Sequence, residues 1–117
     1  MNAIERAIEM LDSREIGLGE VHTCTAIRNG GVAIWLPDLV LIAMPWDPVD
    51  GDNEHTMTVL FCCGDPVKMA EYGAEWAAKG YEYVVWCRGF KKGYQGYQKR
   101  SLAHWSALTK RMNKHNG

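Results

Sequence analysis

Acidic residues are absent from the last quarter of this 117-residue sequence. Residues 88–117 contain eight of the chain's 13 Lys and Arg and none of its 14 Asp and Glu, although the net charge is only −1. Five bases against 14 acids leave residues 1–87 with a formal charge of −9, while residues 88–117 carry +8. A charge division of this kind is informative about partners rather than about the fold. It predicts that the basic end binds something acidic.

Long apolar runs are also lacking. The longest candidate, residues 39–44, has the length of a strand and falls short of the ~18 residues expected of a membrane span. The first residues already include Glu5 and do not open a signal-peptide core. We therefore expect no membrane partner, no secretion, and a location in the cytoplasm of the cell that makes the protein.

The four cysteines include no C-x-x-C pair. Two of them are adjacent, and adjacent cysteines do not form an ordinary unstrained disulfide. In a reducing compartment free cysteines pack as small hydrophobes, so all four are predicted to be buried free thiols. They are Cys24, Cys62, Cys63 and Cys87.

Residue patterns typical of metal sites and of nucleophilic catalysis are missing as well. His22 and Cys24 would share one face of a strand, but nothing at ligand spacing joins them, and a closed zinc site needs four ligands. The acids of residues 45–54 miss the register of a calcium loop, so this stretch is predicted to be a solvated loop. Neither G-x-S-x-G nor a catalytic-cysteine signature occurs, and His104 is predicted to lie on a helix surface.

The composition is that of one ordinary globular core. Apolar residues make up 47% of the chain, and five Trp and five Tyr supply large apolar bodies. A chain of this length buries roughly two thirds of its unfolded surface on folding. Residues 1–117 are therefore predicted to form a single domain.

The first half of the sequence predicts one helix followed by strands. Residues 21–28 alternate in polarity, which predicts a strand, and Asn29-Gly30 predicts a hairpin into a second strand at 32–36. Pro37-Asp38 predicts a tight turn or a bulge before a buried strand at 39–44. The opening helix is indicated by Asn2 as its cap and by four apolar residues at helical spacing, Ile4, Ala7, Ile8 and Leu11.

The second half predicts a strand-helix-strand unit. Asp65 suits the N-cap, Pro66 the first position and Gly80 the residue past the end of a helix at 67–79. Strands are predicted on either side, at 56–63 and 81–88, with a parallel crossover between them; a loop at 89–98 and a helix at 99–113 follow. The predicted fold class is α/β (α+β): a mixed, mostly antiparallel sheet with an N-terminal helix, one strand-helix-strand crossover and a C-terminal helix.

The basic end interleaves cations with aromatic rings. Cations suit contact with phosphate or carboxylate, and aromatic rings suit stacking on bases. An acidic protein surface is the first candidate partner, including the acidic part of a second copy in a homo-oligomer, and nucleic acid is the second. The predicted partner-binding residues are Arg88, Lys91, Lys92, Tyr94, Tyr97, Lys99, Arg100, Lys110 and Arg111.

The order of these elements resembles that of a known family. Residues 4–16 look like an opening helix and its turn, residues 56–63 like a central strand, and residues 66–79 like a helix beside a cofactor. Residues 81–88 look like the next strand, and residues 102–105 like the final helix. In this order the chain resembles the GNAT fold of acyl-CoA N-acyltransferases, and in particular the reduced, GNAT-like internal virion proteins of short-tailed phages.

The GNAT resemblance implies a pyrophosphate site at the junction of the central strand and the next helix. The family pattern there is R/Q-x-x-G-x-G/A, whose backbone N–H groups hold coenzyme A. Here residues 62–68 read Cys-Cys-Gly-Asp-Pro-Val-Lys, with one glycine and no leading Arg or Gln. Pro66 lacks an N–H, and Asp65 would cap the helix and repel a pyrophosphate. On this alignment we expect no catalytic residue, no metal and no cofactor.

The first alignment therefore predicts a non-catalytic GNAT-like protein that is phage virion-associated or structural. It would dock through the basic end and be found in the host cytoplasm or in the virion. Another interpretation is a small interaction or anti-defence module that binds a host protein.

A rival alignment leaves an active enzyme open. Residues 92–102 resemble a GNAT pyrophosphate loop entering its helix, although the glycines are three residues apart instead of two. Under this alignment the chain is an acetyl-CoA-dependent N-acyltransferase with a tyrosine as general acid for the leaving thiolate. The residues concerned are Gly93, Gly96 and Lys99 for the cofactor phosphate, and Tyr94 or Tyr97 for the proton.

Overall fold

A computed structural model describes residues 1–12, 18–88 and 96–105. The described helices are α1 (Ala3–Asp12), α2 (Leu18–Arg28) and α3 (Pro66–Ala78). The described strands are β1 (Val32–Leu36), β2 (Leu39–Pro45), β3 (Thr56–Gly64), β4 (Tyr83–Arg88) and β5 (Gly96–Ser101). Along the chain they follow the order α1-α2-β1-β2-β3-α3-β4-β5.

Helix α1 forms where the apolar spacing predicts it. The side-chain oxygen of Asn2 accepts a hydrogen bond from the backbone N–H of Glu5 at 2.9 Å, which is an N-cap contact. Ala7 and Leu11, one turn apart, are buried, whereas Ile8 is 47% exposed. The buried stripe therefore lies on the sheet and Ile8 lies beside it.

Residues 21–28 belong to helix α2, so the strand predicted there is wrong. Val21 and Ile27, which would share the apolar face of such a strand, are 47% and 62% exposed. Gly19 and Ala26 are buried instead, and a spacing of seven residues places them on one helix face. Small residues on that face let α2 pack closely on α1, β1 and β2. This packing outweighs the modest strand preference of Val and Thr.

Asn29-Gly30 ends a helix instead of joining two strands, so the hairpin predicted there is also wrong. Gly30 has a φ of +75°, and the N–H of Gly31 donates to the carbonyl of Ala26 at 2.8 Å. Both a helix C-terminus and a tight hairpin need a residue that tolerates positive φ. The same dipeptide therefore predicts either structure until the preceding segment is known.

The first three strands form an antiparallel meander. Pro37-Asp38 makes a two-residue turn between β1 and β2, which places Ile34 opposite Leu41. Strand β2 also pairs with β3, and the register shifts between Ile42 and Ala43. Helix α3 then leads to β4, which pairs with β3 in parallel, so the predicted crossover is confirmed.

Residues 96–101 form strand β5, which pairs antiparallel with β4. The loop predicted at 89–98 and the helix predicted at 99–113 are therefore wrong over these six residues. Residues 102–105 are helical, and the remainder of both predictions lies outside the described residues. Three glycines favoured a loop, but the open edge of the apolar strand β4 provides hydrogen-bond partners that local sequence does not reveal.

The described strands form one sheet in the order β1-β2-β3-β4-β5, with β3 and β4 as its parallel pair. Helix α3 covers one face, where Leu41 and Trp76 belong to the same apolar cluster. Helices α1 and α2 cover the other face over Val40 and Ile42. The predicted mixed, mostly antiparallel α+β fold with helices at both ends is confirmed. Within the described ranges, no helix has both the length and the apolar character that crossing a bilayer requires.

Candidate functional site

The corner between β3 and α3 is where the GNAT alignment places a pyrophosphate. Asp65 has an extended backbone, and its Oδ1 accepts a hydrogen bond from the N–H of Val67 at 2.9 Å. Pro66 follows in the first turn and has no N–H to offer. The predicted N-cap and the proline at the helix start are both confirmed. An anion approaching this helix end would meet a carboxylate and a reduced set of N–H groups.

The β1–β2 turn closes the same corner from the other side. The N–H of Asp65 donates to the backbone carbonyl of Asp38 at 2.8 Å, and the ammonium of Lys68 donates to the Asp38 carboxylate. This hydrogen bond lowers the pKa of Asp38 and raises the pKa of Lys68. Gly64 has a φ of +116°, and a Cβ there would lie 2.3 Å from the Asp38 carbonyl oxygen. Lys68, the cation of this junction, is thus already paired within the chain.

Strands β3 and β4 run side by side for four residues and then separate. Residues 56–59 pair with residues 83–86, whereas β3 continues to Gly64 and β4 to Arg88. The separation begins at Leu60, where the register shift against β2 inserts one extra residue into β3. Beyond that point β3 bonds to β2 but no longer to β4.

An apolar cavity of about 240 Å³ lies at this separation, which is smaller than the roughly 300–1,000 Å³ of typical ligand pockets. Trp105 is 6% exposed, and its ring centre lies 5.9 Å from that of Trp86. Its indole N–H donates to the carbonyl of Met69 at 3.4 Å, and a Cβ on Gly73 would lie 2.7 Å from the ring. No sequence signal predicts this cavity, because the bulge depends on pairing with β2. Its lining residues are Met10, Val59, Leu60, Phe61, Cys62, Trp86 and Trp105.

The adjacent cysteines of β3 belong to opposite faces of the sheet. Cys62 packs with the cluster under α3, and Cys63 packs with the cluster under α1, where its thiol donates to the carbonyl of Ala3 at 3.4 Å. Burial, together with the neighbouring Cys63, raises the pKa of Cys62 to about 11. Burial also raises the pKa of Cys63. Because the thiolate is the reactive form, neither side chain is an activated nucleophile at neutral pH.

His22 and Cys24 lie on helix α2 instead of a strand, and residues two apart on a helix are roughly 200° apart around its axis. The prediction that they share a face is therefore wrong. Cys24 is exposed, which also corrects its prediction as a buried thiol, and burial lowers the pKa of His22. His104 is exposed on the helical turn, as predicted, and Cys87 lies in β4 with its side chain outside the described part. Within residues 1–12, 18–88 and 96–105, no three His, Cys, Asp or Glu are grouped to hold a metal ion.

A buried ion pair joins the acidic loop at 46–55 to the basic end of the chain. The Asp47 side chain is fully buried, and its Oδ2 accepts a hydrogen bond from the Lys99 ammonium at 2.7 Å. Lys99 also donates to Asp50 at 2.7 Å and lies 4.5 Å from the ring centre of Tyr83. Lys99, predicted to contact a partner or a phosphate, is thus held by two carboxylates of its own chain.

Asp47 also organises the loop around it. Its carboxylate accepts hydrogen bonds from the N–H groups of Val49 and Asp50 at 2.9 Å each and of Asp52 at 3.2 Å. Burial by itself would raise the pKa of Asp47, but the hydrogen bonds from Lys99 and from these N–H groups hold it well below its usual range. The prediction of a solvated loop is therefore wrong for Asp47. The Asp-Pro-x-Asp-Gly pattern indicates such a turn, but nothing local indicates a partner 52 residues away.

Among the residues predicted to bind a partner, those of β5 are described. Arg100 is exposed, and its guanidinium donates to Gln98 at 3.2 Å and to the carbonyl of Lys99 at 2.9 Å. Tyr97 meets the ring of Trp46 edge to face, with 5.8 Å between ring centres. Gly96 opens β5 and Arg88 closes β4 with its side chain undescribed, while Lys91, Lys92, Gly93, Tyr94, Lys110 and Arg111 lie outside the described residues.

Comparison with known proteins returned no match to any protein-family model, curated protein or solved structure. The resemblance to acyltransferases and to phage virion proteins therefore stays a prediction. The geometry of the β3–α3 corner, the separating strands and the basic end is what bears on function.

Proposed function

We propose that this chain is a non-catalytic, GNAT-like protein that works by docking its basic end onto an acidic partner, as a virion-associated or structural component. The observation that carries the proposal is the corner between β3 and α3. Asp65 caps the helix through the N–H of Val67, and Pro66 removes another donor. A phosphate placed there would face a carboxylate, and the favourable field of the helix N-terminus is already used by that carboxylate.

The packing of Trp105 supports the same proposal. The indole lies between α3 and the point where β3 and β4 separate, and it contacts Trp86 and the backbone of Met69. Only about 240 Å³ of cavity is left at that point. A coenzyme arm would have to displace a tryptophan that is 6% exposed, and removing such a side chain from its packing costs roughly 3–5 kcal/mol.

We expect the cations of the basic end other than Lys99 to contact the partner. Lys99 is neutralised by Asp47 and Asp50, so its charge is directed inward. Arg100, its neighbour in β5, is exposed and makes hydrogen bonds only to Gln98 and to backbone among the described residues. An exposed guanidinium of this kind suits bidentate contact with a carboxylate on a partner protein.

Titration calorimetry with acetyl-CoA tests the non-catalytic part. The expected result is no binding heat for the wild-type chain. A binding isotherm that Lys68→Glu abolishes would place the cofactor at the β3–α3 corner and contradict the proposal. An isotherm that Gly96→Asp abolishes, but that the Lys68→Glu variant still gives, would support the active enzyme of the rival alignment.

Fluorescence anisotropy with labelled polyglutamate tests the docking part. Binding is expected to weaken as salt rises and to weaken several-fold in Arg100→Glu, because a like charge then faces the probe. Arg28→Glu is the matched control, since Arg28 is also an exposed arginine but ends helix α2. Equal loss in both variants contradicts docking through the basic end, and tighter binding to a DNA duplex would favour nucleic acid.

Mass spectrometry of purified virions tests whether the protein is associated with the particle. Particles that contain none of the protein would contradict this part of the proposal.

The separation of β3 and β4 favours a second candidate, an acetyl-CoA-dependent N-acyltransferase. Beyond Val59 the two strands leave backbone N–H and C=O groups unpaired with each other beside an apolar cavity. Such a gap suits an extended chain that carries amide groups, which the pantetheine arm of coenzyme A does. The calorimetric titration separates the two candidates. An N-acyltransferase must bind acetyl-CoA and give an isotherm, whereas the non-catalytic protein is expected to give none.

A further inference from the structure

Strand β1 lies at one edge of the sheet, and its outer side pairs with no other described strand. In an antiparallel pair, the backbone groups of alternate residues point to the same neighbour. The carbonyl of Ala43 in β2 points towards β1, because a Cβ on Gly31 would lie 2.0 Å from its oxygen. Val32 lies opposite Ala43 and therefore bonds inward to β2. By alternation, Ala33 and Trp35 direct their N–H and C=O groups outward.

The β1 edge lacks three of the features that keep sheet edges apart. Its sequence is Val-Ala-Ile-Trp-Leu, with no charge, no proline and no bulge against β2. Residues 32–35 are half-buried, and Leu36 is 42% exposed. The indole N–H of Trp35 donates to the hydroxyl of Thr23 at 2.9 Å, which fixes the strand against α2. The edge is thus apolar, partly exposed and held in an extended conformation.

We propose that two copies of this chain pair antiparallel through β1, centred on Ile34, and form one continuous ten-stranded sheet from two five-stranded ones. In this register Ala33 of each copy lies opposite Trp35 of the other, so the outward backbone groups of both residues exchange hydrogen bonds. The two-fold axis repeats this exchange, which gives an isologous contact. The proposal is independent of the function assigned to the basic end.

The side chains on the α3 face suit the same register. Val32 and Ile34 pack against the cluster beneath α3, and Leu36 has the same strand parity. Centring on Ile34 places the two Ile34 side chains opposite each other and each Val32 opposite the other copy's Leu36. Apolar cross-strand pairs of this kind stabilise a sheet, and no like charges oppose one another. The second copy therefore satisfies both the backbone and the side chains of the edge.

Sedimentation velocity over a concentration series tests the proposal. The expected result is a monomer of 13.2 kDa that converts to a dimer as concentration rises. Leu36→Lys is expected to raise the dissociation constant about tenfold, because it removes two cross-strand apolar pairs. Val49→Lys is the matched control, because Val49 is 49% exposed but lies in the loop after β2. The dissociation constant of the Val49→Lys dimer is expected to equal that of the wild-type dimer. A chain that stays monomeric, or a dimer that both substitutions or neither weaken, overturns the proposal.

Disulfide trapping in a Cys24→Ser background tests the register. Ile34→Cys is expected to form a covalent dimer on mild oxidation, because opposite residues in a non-hydrogen-bonded pair have Cα atoms about 4.5 Å apart, within disulfide range. Leu36→Cys is the control, since four residues of strand, about 13 Å, would separate its two copies. Trapping through Leu36→Cys but not Ile34→Cys contradicts the register. If Ile34→Cys fails to fold, as judged by its thermal unfolding, the comparison of Leu36→Lys with Val49→Lys decides.

Discussion

The two edges of the sheet carry opposite kinds of residue. Strand β5 contains Lys99 and Arg100, whereas the five residues of β1 are all apolar. From composition alone, the charged β5 edge would be expected to bind a partner, since it belongs to the basic end. In the structure the outer side of each edge pairs with no described strand, but Lys99 on β5 is neutralised by Asp47 and Asp50, whereas β1 presents only apolar side chains. The charge of Lys99 is satisfied within the chain, so the charge pattern of the sequence does not by itself locate the binding surface.

The two edges also differ in what holds them. The β5 edge is joined to the loop at 46–55 by the buried ion pair between Lys99 and Asp47. The β1 edge contains no charge and is held by backbone pairing with β2, by the apolar packing of Val32, Ile34 and Trp35, and by a hydrogen bond from Trp35 to Thr23. Removing a partner of the buried ion pair should therefore lower stability more at the first edge than removing the Trp35–Thr23 hydrogen bond does at the second.

The largest effect is expected from Lys99→Met. Removing this cation leaves the buried Asp47 carboxylate without its charged partner, and breaking a buried pair in this way costs about 3 kcal/mol or more. Lys79→Met is the matched control, because Lys79 pairs with Glu75 on the exposed surface of α3 and such pairs contribute about 0–1 kcal/mol. Urea unfolding of both variants measures the difference. Equal losses of stability would show that the buried ion pair does not stabilise the β5 edge.

Asp47→Asn is expected to lower stability by about 2 kcal/mol at neutral pH, since hydrogen bonds to charged groups contribute more than neutral ones. The pKa of Asp47 is lowered in the folded state, so its contribution is present above its ordinary pKa of 3.8 and is lost as pH falls below it. The pKa of Lys99 is raised, so its contribution is present below its ordinary pKa of 10.5 and is lost at higher pH. Unfolding measured from neutral to acidic pH should show a smaller loss in Asp47→Asn than in the wild-type chain. Parallel pH curves would contradict the assignment.

Trp35→Phe is expected to lower stability by about 1 kcal/mol, because it removes the hydrogen bond to Thr23 while keeping an aromatic ring against α2. Thr23→Val removes the other partner of the same bond. Thermal unfolding of the two single variants and of the double variant forms a cycle in which the second substitution adds little to the first. Fully additive losses would mean that the bond does not hold the β1 edge.

The smallest effect on stability is expected from Leu36→Lys. Leu36 is 42% exposed, and substitutions at such surface positions usually change stability by less than about 0.5 kcal/mol. Urea unfolding at low protein concentration, where the chain is monomeric, measures this. A loss several times larger would show that Leu36 supports the fold itself, and its effect on self-association could then not be assigned to the edge.

Sequence signals predicted the elements whose boundaries are local. Asn2 at the start of α1 and Asp65-Pro66 at the start of α3 are side-chain or backbone effects within one turn of the helix. Pro37-Asp38 likewise marks the turn between β1 and β2. These features, and the parallel crossover that follows from the length between β3 and β4, place the β3–α3 corner correctly.

The features that the sequence did not reveal depend on distant contacts. Residues 21–28 form a helix because Ala26 packs on neighbouring elements, and the glycine-containing residues 96–101 form a strand because β4 offers an edge. The extra residue Leu60 is fixed by register with β2, and the partner of Asp47 is 52 residues away. No window of local sequence contains these partners.

An amide-resolved NMR titration with coenzyme A tests most directly whether the β3–α3 corner excludes a pyrophosphate. We expect the amide signals of Val67 and Lys68, and those of Leu60 and Cys62 at the separating strands, to stay in place as coenzyme A is added. Saturable shifts concentrated at these four amides would contradict this expectation, because they would show the cofactor bound across the corner that Asp65 caps.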